Sequence, residues 1–350
     1  MSTTKSNTMR FPISLAVFAV YPFLSCIASS GAEPLQRFEF TSVHMGTEWR
    51  IALYAADKPE AEKASKAAFA RVAELDAVMS DYNTKSELMR LCLANDAKPG
   101  EAQKVSDDLF DVLEKSQRIA TASDGAFDVT VGPVVKLWRV ARKTKQLPEA
   151  KELIAAKELV GYKMLTLDAK ARTVSLAKAG MRLDLGGIGK GYAADAALKV
   201  LKSQGIASAL VAASGDITVS EAPPDKSGWI VDIAPLQKGD PPRRLLLANA
   251  SVSTSGDLFQ NVEIEGVRYS HVLDPKTGLG LTGRRSATVI AREGWLADSL
   301  TKTASVLLPE AALKLIERYE KAAMFVAVKE SDSVKETITQ SKNFADYEAK

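Results

Sequence analysis

The sequence predicts an α+β protein with mixed sheets. Three observations carry that expectation: long runs with helical spacing at 58–80 and 107–123, short runs rich in β-branched and aromatic residues between them, and no repeat, low-complexity tract or long linker. With 46% hydrophobic and 25% charged residues among 350, the chain can bury a large core as one large domain or two smaller ones.

The elements follow in order. FEFTSV and WRIALYA form a hairpin around HMGTE, and KPEAEKASKAAFARVAELDAVMS is a long amphipathic helix. DDLFDVLEKSQRIATAS is a second helix that Gly125 stops, and LPEAKELIAAKELVG supplies a short one before the strands LTLDA and TVSLA. MRLDL reads as a strand, GYAADAALKVLKSQ as a helix ended by Gly205, and ASALVAA as the next strand, a spacing that suggests a crossover unit. Strand-rich pieces continue through WIVDIAP, RRLLLANASVSTS and VEIEGVRYSHVLD, with a tight turn at Glu265 and Gly266. Helices over 295–308 and 310–321 precede a last strand, AAMFVAVKE.

Residues 1–32 stand apart. Lys5 and Arg10 precede the apolar run FPISLAVFAVYPFLSCIA, and small residues follow, the layout of a secretory signal peptide cleaved after Ala32. Pro12 and Pro22 break the run, and it is short for a membrane span of roughly 20 residues. In FLSC, the residues before Cys26 are not those that a lipoprotein signal prefers. Export leaves one domain, 33–350, with 44 basic and 43 acidic residues, since the 46 basic residues of the whole chain include Lys5 and Arg10. That balance excludes a nucleic-acid footprint. Cys92 is then the remaining cysteine, which excludes an internal disulfide and reads as a core residue.

The stretch LDLGGIGKGYAAD, residues 183–195, invites a phosphate-loop reading, but both familiar templates fail. Asp184 stands where a P-loop needs its first glycine and Gly191 where it needs Ser or Thr; Tyr192 stands at the third glycine of the dinucleotide fingerprint. Gly186, Gly187, Gly189 and Gly191 still admit close backbone approach and positive φ at a helix entrance, and Lys190 adds a point charge, so an anion site is favoured over a plain turn. His44 and His271 are too few for a metal site built on several histidines. His271 alone reads as a hydrogen-bonded strand residue beside a displayed turn, DPKTG. Asp128, Asp184, Asp216, Asp257 and Asp274 sit at element ends, where most aspartates cap or turn. Asp298 lies inside the helical run WLADSLTKTASVLL, either as a partly solvated face residue or as a site group such as a hard-metal ligand.

Taken in order, HMGTEWRI, MSDYNTKSEL, DGAFDVTVGPVVKLW, LDLGGIGKGYAAD, SGDI, SVSTSGDLF, YSHVLDPKTG and ADSLTKTASVLL resemble the successive motifs of the ApbE family, the FAD:protein FMN transferases, from about Phe38 to Val328. The resemblance implies an α+β fold with two βαβ-like halves and FAD between them. It implies FAD as substrate, its FMN part moved onto a Thr or Ser hydroxyl of a flavin-acceptor redox protein or domain, and AMP released in the periplasm or at the outer face of the cytoplasmic membrane. By the same resemblance Met45 and Tyr82 contact the flavin or adenine; Ala126, Phe127 and Asp128 line the cofactor, with Val272 in the same binding set; and Asp184 and Lys190 hold ribose and pyrophosphate. A magnesium ion would take the Gly187 carbonyl and the Asp298 carboxylate. Splitting a pyrophosphate needs positive charge and N–H donors at the leaving group and a base at the hydroxyl. His271 or Asp298 fills that last role, and the sequence does not rank them.

Two positions depart from the family pattern. Lys302 stands where the metal motif has Thr, four residues after Asp298, and a protonated lysine cannot ligate magnesium but can pair with Asp298 as a point charge. In SGDI, Ser214 replaces a glycine. The expectation is FAD binding with a weaker metal requirement or slower transfer. The alternatives are a catalytically impaired FAD-binding protein and a hydrolase giving FMN and AMP.

Overall fold

The chain enters through a tight hairpin. β1 (Gln36–His44) and β2 (Thr47–Ala55) pair antiparallel with His44 opposite Thr47, so Met45 and Gly46 make the turn, both at positive φ (50° and 71°). Two such residues give the twist that antiparallel strands need. The computed structural model describes residues 1, 34–233, 241–256, 260–329 and 336–349. The expected signal peptide, apart from Met1, and Asp257 lie outside them.

Asp57 caps α1 (Lys58–Met79) by accepting the Glu60 N–H, and Ser86 and Ser106 do the same for α2 (Glu87–Ala97) and α3 (Asp107–Ala122). β3 (Gln103–Lys104) lies between the last two, and Gly125 (φ 76°) takes the chain out of α3 as the sequence predicts. α4 (Gly132–Thr144) and α5 (Ala150–Lys157) lead to β4 (Leu165–Asp168) and β5 (Thr173–Leu176), which form a small sheet with β3. The sequence reading assigns no helix to α2 or α4. α4 has Pro133 in its first turn but no side-chain cap, and β-branched Val134 and Val135 follow, so its local signals are mixed and its partners decide it.

MRLDL differs from expectation. It makes an isolated parallel bridge, Arg182 with Val131, and is not a strand of the sheet. α6 (Gly189–Ser203) follows, ending near Gly205 (φ 88°), and β6 (Ala209–Ala213) then pairs antiparallel with β2. The α+β class holds, but the parallel crossover does not form, and every ladder between the described strands is antiparallel.

The remaining elements are β7 (Asp216–Val219), β8 (Trp229–Ile233), β9 (Arg243–Leu247), β10 (Ala250–Gly256), β11 (Asn261–Ile264), β12 (Val267–Leu273), β13 (Gly280–Thr282), β14 (Arg284–Ala291), α7 (Gly294–Val306), α8 (Pro309–Ile316), β15 (Ala323–Lys329) and β16 (Thr337–Gln340). The main sheet has eight strands in the order β1-β2-β6-β7-β10-β14-β15-β16. α1, α6 and α7 pack on one face, where Ile51, Leu53, Val211 and Val289 enter the largest core cluster. Ala52, Leu210, Ala212 and Ile290 point the other way into a second cluster, closed by Trp229, Val231, Leu245 and Leu247 of the β8–β9 ribbon and by Phe344. Both faces are covered, which is why the central strands read as continuous apolar runs and not as alternation.

A third cluster positions the site. Val134 and Trp138 of α4 pack against Val262, Ile264 and Leu273 of the β11–β12–β13 sheet, and the Trp138 indole N–H donates to the Gly278 carbonyl at 2.8 Å. This pins β12, and with it His271, beside α4.

Candidate functional site

Two helices meet at glycine to build the centre of the site. A Cβ on Gly191 would stand 2.1 Å from the Gly294 carbonyl oxygen, and one on Gly294 would stand 2.5 Å from that of Gly191. The crossing therefore requires both glycines. It brings Asp298, one turn along α7, against the first turn of α6, where the Gly191 N–H donates to Oδ2 at 3.3 Å. The same junction is capped from α6: Asp195 accepts the Gly294 and Trp295 N–H groups at 2.6 and 3.0 Å, and burial pushes its carboxyl up to about 7 against those bonds. None of the four glycines of LDLGGIGKGYAAD has a positive φ, contrary to that part of the expectation. Gly186, Gly187 and Gly191 instead allow close approach: a Cβ at Gly186 would meet Asp184 Oδ1 at 2.9 Å, and one at Gly187 would meet Lys302 Cγ at 3.1 Å and Phe127 Cε2 at 3.2 Å, whereas one at Gly189 would have ordinary room.

Around Asp298 the charges alternate. Lys302 Nζ lies 3.3 Å from Asp298 Oδ1, Lys190 Nζ lies 4.0 Å from Asp298 Oδ2 and 3.2 Å from Asp216 Oδ2, and Asp216 Oδ1 accepts the Ser253 hydroxyl at 2.6 Å. Asp298 is fully buried and Asp216 nearly so. Burial and then the nearby Asp216 raise the Asp298 carboxyl, while Lys190 and Lys302 work against them. Burial also opposes charge on Asp216, yet Lys190 and Lys302 hold it below the usual carboxylate range. Burial disfavours the Lys190 ammonium, and Asp216 and Asp298 more than reverse that and raise its pKa.

His271 faces the same charges from β12. Its Nδ1 lies 3.2 Å from the Gln260 carbonyl oxygen. A carbonyl only accepts, so Nδ1 carries the proton and Nε2 is left with a free lone pair. Burial, then Lys302, with Arg142 and Lys190, pushes the imidazole pKa down to about 3. Arg142 donates to the His271 carbonyl at 3.0 Å, tying α4 to this strand.

The other expected residues divide into two groups. Asp184 lies at the mouth: Oδ1 accepts the Gly186 N–H at 2.8 Å, and Oδ2 lies 3.2 Å from Arg139 Nη2, which also reaches Asp81 Oδ2 at 2.5 Å. Tyr82, 77% exposed, lays its ring 4.0 Å from the Arg139 guanidinium carbon and so offers one free face. Phe127 joins the centre through Gly187. Asp128 is turned inward, accepting both the N–H and hydroxyl of Thr130 at 2.8 and 2.6 Å, and holds the loop rather than presenting a free carboxylate. Ala126 is buried, and Met45, half-buried in its hairpin turn, donates its N–H to Asp76 Oδ2 at 3.0 Å. Val272 is buried and lines a small cleft with Ser255, Ser270 and Arg285.

Sequence reasoning missed Arg139, Arg142, Asp195 and Ser253, and placed Asp216 among the aspartates at element ends. Arg139 and Arg142 are three apart on α4, a spacing visible in LWRVAR once that segment is taken as a helix. Nothing local singles out Ser253.

The expected magnesium ion does not fit this donor set. Among the described residues no three His, Cys, Asp or Glu side chains are grouped to hold a metal ion. Asp298, the carboxylate assigned to it, already faces two ammonium groups, and protonated lysine has no lone pair to give.

Comparison with known proteins agrees with the architecture. A sequence model described as the ApbE family matches residues 45–326. The chain is 32% identical over 298 residues to the FAD:protein FMN transferase of Escherichia coli (strain K12), covering 83% of this chain and 84% of that protein. Among solved structures, the apo form of Pseudomonas stutzeri flavinyl transferase ApbE superposes with a TM-score of 0.77 at 30% identity, covering 89% of this chain and 97% of that one. The flavin transferase ApbE from Vibrio cholerae gives 0.78 at 26% identity, covering 90% and 100%.

Proposed function

We propose, from the premise that the chain belongs to the ApbE family, that it is a flavin transferase that moves the FMN part of FAD onto a Thr or Ser hydroxyl of an acceptor protein and releases AMP. The observation that carries the reading is that Lys190 and Lys302 are fixed about buried Asp298 while Arg142 holds the strand that carries His271. A pyrophosphate is dianionic and gains charge at its bridging oxygen as it splits, so fixed cations around it favour the transition state.

In this reaction the acceptor oxygen attacks the FMN-side phosphorus, and its proton passes to His271 Nε2. The bridging P–O bond breaks with its electron pair leaving on AMP, and the new phosphodiester joins FMN to the acceptor. Asp298 is less suited to be the base. It is fully buried, and Gly191, Lys190 and Lys302 already engage it, so it organises the cations. Tyr82 and the Arg139 bridge at the mouth suit the ring systems and ribose of FAD.

The partner is a redox protein or domain that carries covalent FMN, met in the periplasm or at the outer membrane face if residues 1–32 act as a signal peptide. Incubating residues 33–350 with FAD and a flavin-acceptor domain tests the reading. Transfer gives AMP and covalent FMN together; AMP alone would make the protein a hydrolase, and neither product would make it a binding protein.

A further inference from the structure

We propose that the Lys302 ammonium is the resident cation of this site, so that pyrophosphate cleavage here needs no divalent metal. The inference rests on the transfer reading above for what the cation does, but its basis is geometric. Lys302 lies four residues after Asp298 on α7, which sets its Nζ 3.3 Å from Asp298 Oδ1. The stem is accommodated on purpose: it passes Gly187 so closely that a Cβ there would stand 3.1 Å from Lys302 Cγ. The side chain is 19% exposed, whereas the carboxylate behind it is wholly covered, so the charge is held from inside and open to a ligand on the other side.

The rest of the chain of charges balances the site, although Asp298 Oδ1 is buried without a hydrogen bond and meets Lys302 as an ion pair alone. Ser253, Asp216, Lys190, Asp298 and Lys302 run in series, with two carboxylates matched by two ammonium groups. A site built for a divalent ion would leave its carboxylates in excess until the ion arrived. Here a metal beside Asp298 would face the Lys302 ammonium directly and find a single carboxylate already shared, so like charges repel it where a ligand should attract it. A fixed ammonium supplies one positive charge rather than two, already placed before the substrate binds.

The test separates the metal question from activity. Mn2+ added to residues 33–350 is followed by its electron paramagnetic resonance signal, which is lost on binding, with and without FAD. The unmodified protein should leave the signal free, and FMN transfer should persist undiminished in excess chelator. Lys302→Thr should bind Mn2+ at least about tenfold more tightly than the unmodified protein and transfer FMN only when metal is supplied. Lys302→Met, which removes the charge without adding an oxygen donor, should bind FAD but lose transfer in chelator. Tight Mn2+ binding by the unmodified protein, loss of its transfer in chelator, or undiminished transfer by Lys302→Met in chelator would overturn the proposal. If no acceptor is flavinylated under any condition, the transfer reading fails, and the Mn2+ signal alone still decides whether Lys302 excludes the metal.

Discussion

His271 is useful because it is kept neutral. Its imidazole pKa lies near 3, far below the usual range, so the base form survives well into acid and is lost only as pH falls through that value. The rate of FMN transfer should therefore have no acid limb with an apparent pKa near 6.5; a pH profile of kcat/KM checks this, and an inflection there would show a charged imidazole in the free enzyme. Replacing the side chain, His271→Ala, should lower transfer roughly 10²–10⁴-fold while FAD affinity, read by flavin fluorescence, stays close to normal. Lys190 carries a different burden. Its ammonium lies between Asp216 and Asp298, and Lys190→Met would leave two buried carboxylates with one cation fewer. Urea denaturation should report a loss of roughly 3–5 kcal/mol.

The α6–α7 junction is where elements become a site. Gly191 and Gly294 let the helices touch backbone to backbone, and Asp195 of α6 closes the N-terminus of α7 with two hydrogen bonds. Gly191→Ala cannot be absorbed by a side-chain movement, because the obstacle is a carbonyl oxygen, and the helices must part. That variant should lose both stability and the Gly191–Asp298 contact, so transfer should fall further than thermal stability alone explains. Asp195 also sets a pH dependence. Its folded pKa of about 7 lies above its ordinary value, so between the two the folded state holds the extra proton, and this group makes stability fall as pH rises through that window. Asp195→Asn should flatten that slope in thermal melts from pH 4 to 7, while Asp195→Ala should cost about 0.5–2 kcal/mol through the lost cap.

For the whole molecule, the decisive packing is α4 against the β11–β12–β13 sheet. Trp138 is fully buried there and links the segment after GAFD to the strand that carries His271. Trp138→Ala should cost roughly 3–5 kcal/mol in urea unfolding and should also lower kcat, since β12 loses its support. Loss of stability with unchanged kcat would mean that β12 is held by other contacts, Arg142 to the His271 carbonyl first among them.

At that same scale, the boundary between sequence and tertiary structure is a physical one. Period, caps and turn residues are local, so the first hairpin, α1, α3, α6 and α7 were legible, as were His271, Asp298, Lys190 and the odd residue Lys302. The structure adds partners that no spacing encodes. MRLDL has strand composition but makes a single bridge, Arg182 to Val131, and α4 has Pro133 in its first turn but no side-chain cap and forms against a distant sheet. Asp216 reads as a turn aspartate until Lys190 and Ser253 are brought to it, and Arg139 and Arg142 gain meaning when α4 sets them beside Asp184 and His271. The sequence by itself determined the α+β class, the family and the place of Lys302, four residues after Asp298. Only the tertiary structure decided what surrounds that lysine and its Asp298, because the charges that continue beyond them, Lys190 and Asp216, come from α6 and β7, elements far from α7 along the chain.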